Sequence, residues 1–147
     1  MELLQNSWIA KLTTHTVWGF PINEIVHILS ISVVVGVVML LAANCGDSRR
    51  IQTDLVRRYV APIFTIAFAV AFATGFIFFA AWPERYLNNP AFWIKIPLLL
   101  SLVTLNILIL KSYREQQINS ITKLFSYVAV AVAFATIAAG RLIAYVG

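Results

Sequence analysis

The chain has 147 residues, of which 61% are hydrophobic and 12% charged, with a formal net charge of +5 and a mean hydropathy of +0.85. Soluble domains carry about 25% charged residues, so this composition excludes an ordinary soluble fold, and the length suits a single domain. An isoelectric point of about 9.7 does not argue for nucleic acid, because seven of the 11 Lys and Arg residues fall in two short stretches between apolar runs. That placement orients a membrane protein.

In chain order, Met1–Phe20 comes first. Leu4, Trp8, Leu12 and His15 recur at helical spacing, and Trp8, Trp18 and Phe20 suit the headgroup region. The segment reads as an interfacial amphipathic helix, with Gly19 and Pro21 turning the chain inward. It is not a cleavable signal peptide, since Glu2 stands where a basic region belongs. Four spans follow, Pro21–Asn44, Val60–Trp82, Ile94–Lys111 and Leu124–Val146. About 20 apolar residues cross the hydrocarbon layer, a length that three of the four exceed; the third is shorter, and either lengthens to Tyr113 or thins the bilayer locally. The alternation in Tyr127–Ala135 is strand-like, but the run is too long and too apolar for a barrel strand, so helix wins. The expected fold is all-α: one membrane domain over residues 1–147, a polytopic four-helix bundle with an N-terminal interfacial helix.

Arg49, Arg50, Arg57 and Arg58 lie in the first loop and Lys111, Arg114 and Lys123 around the third, whereas the other side has Lys11, Arg85, Lys95 and Arg141. The positive-inside rule puts both termini outside, on the periplasmic side of a bacterial inner membrane. Small residues spaced by four, Ala67–Ala71–Gly75 and Ala131–Ala135–Ala139, predict close helix approach, with Gly36 and Gly140 at further contacts. Asn106 and Thr74–Gly75 are expected to bond or pack across helices and to be structural.

Charges inside a span cost about 2.5–3.5 kcal/mol at a helix centre, so the few present are informative. Glu24 and His27 stand near the start of the first span, Lys95 opens the third, and Arg141 is near the end of the fourth. His27 lies about 9 Å below the outer end of its span, and the other three are at a similar level. These segments should form one polar pocket, with Glu24 paired to Arg141 or Lys95. For Lys95 and Arg141, snorkelling to the surface is the competing reading. His27 suits three roles: an axial ligand to haem iron, an interhelical hydrogen bond, or proton transfer. On a continuous helix His15 would be about 18 Å away along the axis, so it shares an iron only if the chain folds back at Gly19–Pro21. His27 of a second protomer, a methionine or an open position are the alternatives, and Met39 is about three turns too deep. Cys45 is the single cysteine, which excludes an intrachain disulfide, a thiolate cluster and a CxxCH haem attachment. No glycine-rich phosphate loop and no nucleophile with a base is present.

The string Gly19-Phe20-Pro21-Ile22-x-Glu24-x-x-His27, followed by Gly36, resembles the opening of a family of short four-span bacterial membrane proteins (domain of unknown function 6644). Thr74-Gly75, Asn89-Pro90-x-Phe92-x-x-Lys95, Asn106 and Ala139-Gly140-Arg141-x-Ile143-Ala144-Tyr145 resemble its later motifs, so the similarity runs from Gly19 to Tyr145. After the first span that family has an Asp-Leu-Arg-Leu-Leu-Gly run, where this chain reads Asn44-Cys45-Gly46-Asp47-Ser48-Arg49. The first-span histidine, the Thr-Gly pair and the aromatic–x–x–Lys are similar, at motif level, to HemJ-type protoporphyrinogen oxidases. That resemblance implies His27 and Lys95 as haem or porphyrin contacts.

The expectation is a membrane subunit of an electron-transfer system that binds haem b near the outer face. His27 would ligate the iron, Arg141 and Lys95 would meet the propionates, and Glu24 would complete the pocket; the phenylalanines of the second span either pack the macrocycle or, as is commoner, face lipid. The rivals are a cofactor-free accessory subunit that anchors a larger membrane complex, and a porphyrin-modifying enzyme. A non-catalytic subunit or electron carrier is favoured over a stand-alone enzyme. The expected partners are the lipid bilayer, and other membrane subunits or further copies of the chain.

Overall fold

The computed structural model describes Lys11, Thr14, residues 16–46 and residues 53–146. The expected interfacial helix over Met1–Phe20, with His15, falls almost wholly outside the described residues. Helix α1 spans Gly19–Gly46 and α2 spans Ala61–Ala81, prolonged at its start by a π-helical segment, Val56–Val60, and a turn, Thr53–Leu55. Then come α3 (Pro83–Leu87), α4 (Pro90–Arg114) and α5 (Ser120–Val146). Four helices are long and apolar enough to cross a membrane, at 27, 26, 25 and 26 residues. The all-α four-helix bundle expected from the sequence is what the chain forms.

The helix ends extend past the expected ones, for reasons of capping. The third span is not short. The Asn89 side chain accepts from the Ala91 N–H at 2.9 Å and Pro90 takes the first helical position, where its missing N–H costs nothing. At the other end Gln116 adopts φ 56 and Gln117 N–H bonds back to the Ser112 carbonyl at 3.0 Å. This left-handed closure lets α4 run on to Arg114. Likewise Asn119 accepts from the Thr122 N–H at 3.0 Å, which starts α5 one turn before the expected Leu124.

Around the bundle the order is α2, α1, α5, α4: α1 lies between α2 and α5, and α4 packs on α5. The α2 and α4 backbones approach each other little. With the end that carries the α2–α4 connection labelled outer and the opposite end inner, as names for the two ends of the bundle alone, the π-helical segment meets α4 at the inner end, and Phe79 stacks on Phe92 at the outer end with ring centroids 5.7 Å apart. The apolar core fills the inner half. Val34, Val38 and Leu41 of α1 meet Val56, Val60, Phe64 and Ala67, together with Leu102 and Ile109 of α4 and Ala129 and Ala133 of α5.

On α5 the buried small residues are Ser126, Ala129, Ala133 and Ala139, while Ala131 and Ala135 are exposed. The expected Ala131–Ala135–Ala139 stripe is therefore wrong over two of its three positions. Alternating Val and Ala offers two possible alanine faces, and spacing alone does not choose between them. Gly36 is also not a contact point. It is exposed, and nothing lies within 4 Å of where its β-carbon would stand.

Polar side chains tie each end. At the inner end Asn44 Nδ2 donates to the Tyr113 hydroxyl at 2.9 Å. Cys45 Sγ lies 3.3 Å from both that hydroxyl and Ser126 Oγ, so three helices join there. At the outer end Asn89 Nδ2 donates to the Ile143 carbonyl at 3.0 Å and Arg85 to Ala144 at 3.4 Å, fastening the α2–α4 connection to the last turns of α5.

Candidate functional site

The half of the bundle nearer the α2–α4 connection holds Asn23, His27, Ser30, Thr74 and Lys95. Asn23, His27 and Ser30 follow one another at helical spacing down the inward face of α1. Asn23 and Ser30 are buried and His27 is half-buried. Ser30 donates to its own helix at Val26, 2.7 Å away. The other two turn to α2 and meet one residue there, Thr74. Asn23 Nδ2 donates to the Thr74 carbonyl at 3.2 Å, and His27 Nδ1 lies 2.7 Å from Thr74 Oγ1. Thr74 Oγ1 is also 2.8 Å from the Val70 carbonyl and 3.1 Å from that of Ala71.

Gly75 makes room for the ring. A β-carbon there would stand 3.3 Å from His27 Cε1. The edge of Phe78 closes the site, with centroids 5.8 Å apart and planes at 87°. Of the second-span phenylalanines it alone meets the imidazole in a ring contact, since Phe72 and Phe76 are exposed, Phe64 is in the core and Phe79 stacks on Phe92.

Lys95 comes from α4 and lies against Gly140 of α5, whose β-carbon would stand 3.3 Å from Nζ. It is half-buried and within electrostatic range of His27. The structure thus brings His27 and Lys95 toward one another from two helix pairs, each side chain seated on a glycine of its neighbour.

The other two expected members do not join them. Arg141 is exposed and stays with its own helix, 3.4 Å from the Tyr145 hydroxyl and 5.4 Å above that ring. One residue along a helix is a rotation of about 100°, so if Gly140 faces α4, Arg141 faces outward. Glu24 is half-buried and forms no ion pair with Lys95 or Arg141. Among the described residues the ion pair is Lys111–Glu115, at the inner end, at 3.8 Å. The expected Glu24 pairing is therefore not formed, and among the described residues Lys95 is in no ion pair with a carboxylate.

The hydrogen bond across helices expected at Thr74–Gly75 is formed by Thr74, and Thr74, Gly75 and Gly140, expected to be structural, also shape the site. The available signal was that Thr74–Gly75 interrupts a Phe/Ala run at the depth of His27. Among the described residues no group of three or more His, Cys, Asp or Glu could hold a metal ion. Comparison of the chain with protein-family models, with curated proteins and with solved structures found no match to any of them.

Proposed function

We propose that this chain is an integral membrane subunit that binds haem b at His27 and serves an electron-transfer complex. The observation that carries the reading is that His27 of α1 and Lys95 of α4 lie within electrostatic range of one another, with neither in an ion pair with a carboxylate among the described residues. An imidazole and an unneutralised ammonium are the donor set that a haem with its propionates would use. In this reading His27 holds the iron and Lys95 receives a propionate, while Phe78 shields the imidazole. Arg141, turned outward to Tyr145, is left out of the site. When bound, the group supplies one-electron transfer; the chain supplies orientation and exclusion of water. Met39 is exposed and about 18 Å deeper than His27 along the helix, so it does not serve as a second ligand.

Kinship with the four-span family resembled by the sequence is part of the proposal. It draws support from the motif residues His27, Thr74, Gly75, Lys95 and Gly140 meeting in one region. So is placement in a bacterial inner membrane with loop Pro83–Asn89 outside. In a Cys45→Ala background, a cysteine replacing Glu84 should react with an impermeant thiol reagent in intact spheroplasts, and one replacing Gln116 should not. The reverse pattern overturns the orientation.

The absorption spectrum of the detergent-purified chain, reconstituted with haem, tests the function. A Soret band is expected, abolished in His27→Ala and weakened in Lys95→Met. A folded protein that stays colourless removes the haem reading and leaves the cofactor-free accessory subunit in its place.

A further inference from the structure

We infer that Thr74 is a positioning residue that fixes His27 as the Nδ1–H tautomer and so leaves the Nε2 lone pair as the ligating atom of the site. The argument is a count of hydrogens. A threonine hydroxyl has one proton to give and two lone pairs with which to accept. Thr74 Oγ1 has three neighbours in bonding range: the carbonyls of Val70 at 2.8 Å and Ala71 at 3.1 Å, and His27 Nδ1 at 2.7 Å. The carbonyls can only accept, so the hydroxyl proton goes to them, as is usual for threonine inside a helix. The shortest contact, the one to Nδ1, is then left for a proton carried by the ring. Thr74 is buried and cannot turn to water for another partner, and its own carbonyl is held by Asn23 at 3.2 Å. The residue is therefore locked to α1 at two points, and the ring orientation with it.

A histidine that binds a metal through one nitrogen characteristically donates the other N–H to an acceptor, which sets both tautomer and ring direction. Thr74, with the Ala71 carbonyl also in reach of the ring, provides that acceptor here before any ligand arrives. The tautomer stands on geometry alone, whereas its consequence for iron rests on the haem reading above.

The test needs no ligand for its first part. The full-length chain, labelled with 15N-imidazole histidine and carrying His15→Gln so that one ring reports, is placed in lipid nanodiscs at about pH 8, where an ordinary imidazole is neutral. The expected spectrum has a protonated Nδ1 and a bare Nε2. Thr74→Val should lose that preference and Thr74→Ser should restore it. A wild-type ring protonated at Nε2 overturns the inference, whether or not haem binds. In the haem-loaded protein, Thr74→Val should weaken retention by about 10–100-fold, the usual effect of removing such a partner, with Thr74→Ser close to wild type. Retention unchanged in Thr74→Val overturns the positioning role. The expected tautomer in a protein that binds no haem supports the inference and defeats the haem reading alone.

Discussion

Lys95 reaches from α4 to lie on Gly140 of α5, with Nζ 3.3 Å from the place a β-carbon would occupy, and His27 lies on Gly75 of α2 at the same distance. The two notches look alike but differ in how their occupants are held. The imidazole is pinned by Thr74 at 2.7 Å, so it cannot give way. The lysine presents the far end of a flexible chain to its glycine, and no hydrogen bond restrains it. Gly75→Ala is therefore expected to destabilise the protein by about 1–3 kcal/mol through overpacking, partly offset by about 0.5–1 kcal/mol of helix propensity. Gly140→Ala should be neutral or slightly stabilising. Unfolding of both variants in mixed micelles against SDS decides the matter, and equal effects would show that the His27 ring is not anchored.

The inner end is held by a hydrogen-bond hub rather than by charge. The Tyr113 hydroxyl takes a proton from Asn44 at 2.9 Å and gives one toward the Leu41 carbonyl at 3.4 Å, in a side chain only 1% exposed. Removing a buried partner strands the groups it served, at about 1–3 kcal/mol each. Tyr113→Phe should cost an amount of that order. Cys45→Ala should cost less, since a thiol is a weak donor and acceptor. The same unfolding assay compares them, and a larger loss in Cys45→Ala would make the cysteine the hub instead.

The spans, their number and the outer-half placement of His27 and Lys95 were legible because they depend on apolar run length and on the rarity of charge in lipid. The details that failed depend on rotation about a helix axis. Arg141 and Gly140 are neighbours in sequence, and about 100° of rotation separates a side chain in the bundle from one outside it. Uniformly apolar helices carry little periodic signal by which that angle could be read. For the same reason Ala129 and Ala133 took the buried positions expected of Ala131 and Ala135. The third span was read as short because Asn89 and Gln116, which set its ends, act through capping and a left-handed backbone rather than through hydropathy.

Asn106 shows the same limit in a different form. It was expected to bond across helices, but its Nδ2 donates to the Leu102 carbonyl one turn back at 2.8 Å. Its Oδ1 is fully buried with no hydrogen-bond partner among the described residues. A buried acceptor without a partner costs about 1–3 kcal/mol, and an apolar residue of similar shape avoids that cost. Asn106→Leu is therefore expected to raise stability by about 1 kcal/mol or more. Asn106→Asp should lower it, because it adds a carboxyl group at the same dry position. A destabilised Asn106→Leu would mean that Oδ1 is satisfied in the membrane by a group from outside the chain.

Tyr86 gives a pH dependence that can be followed without disturbing the spans. It stands in α3, outside them, half-buried between Phe79 and Phe92 at centroid distances of 6.2 and 5.6 Å. Burial raises its phenol above the ordinary value of 10.0, and the neighbouring Arg85 charge opposes the shift. Below pH 10.0 the folded and unfolded chains both keep the phenol proton, so this residue leaves stability at its full value. Above that point the unfolded chain releases the proton while the folded chain retains it. Stability then falls with rising pH until the folded phenol itself ionises. Tyr86→Phe should flatten that alkaline decline, and Arg85→Gln should push the phenolate absorbance of Tyr86 to still higher pH. A Tyr86 that ionises at the ordinary phenol value of 10.0 or below in a spectrophotometric titration would show that the outer aromatic cluster is open to water.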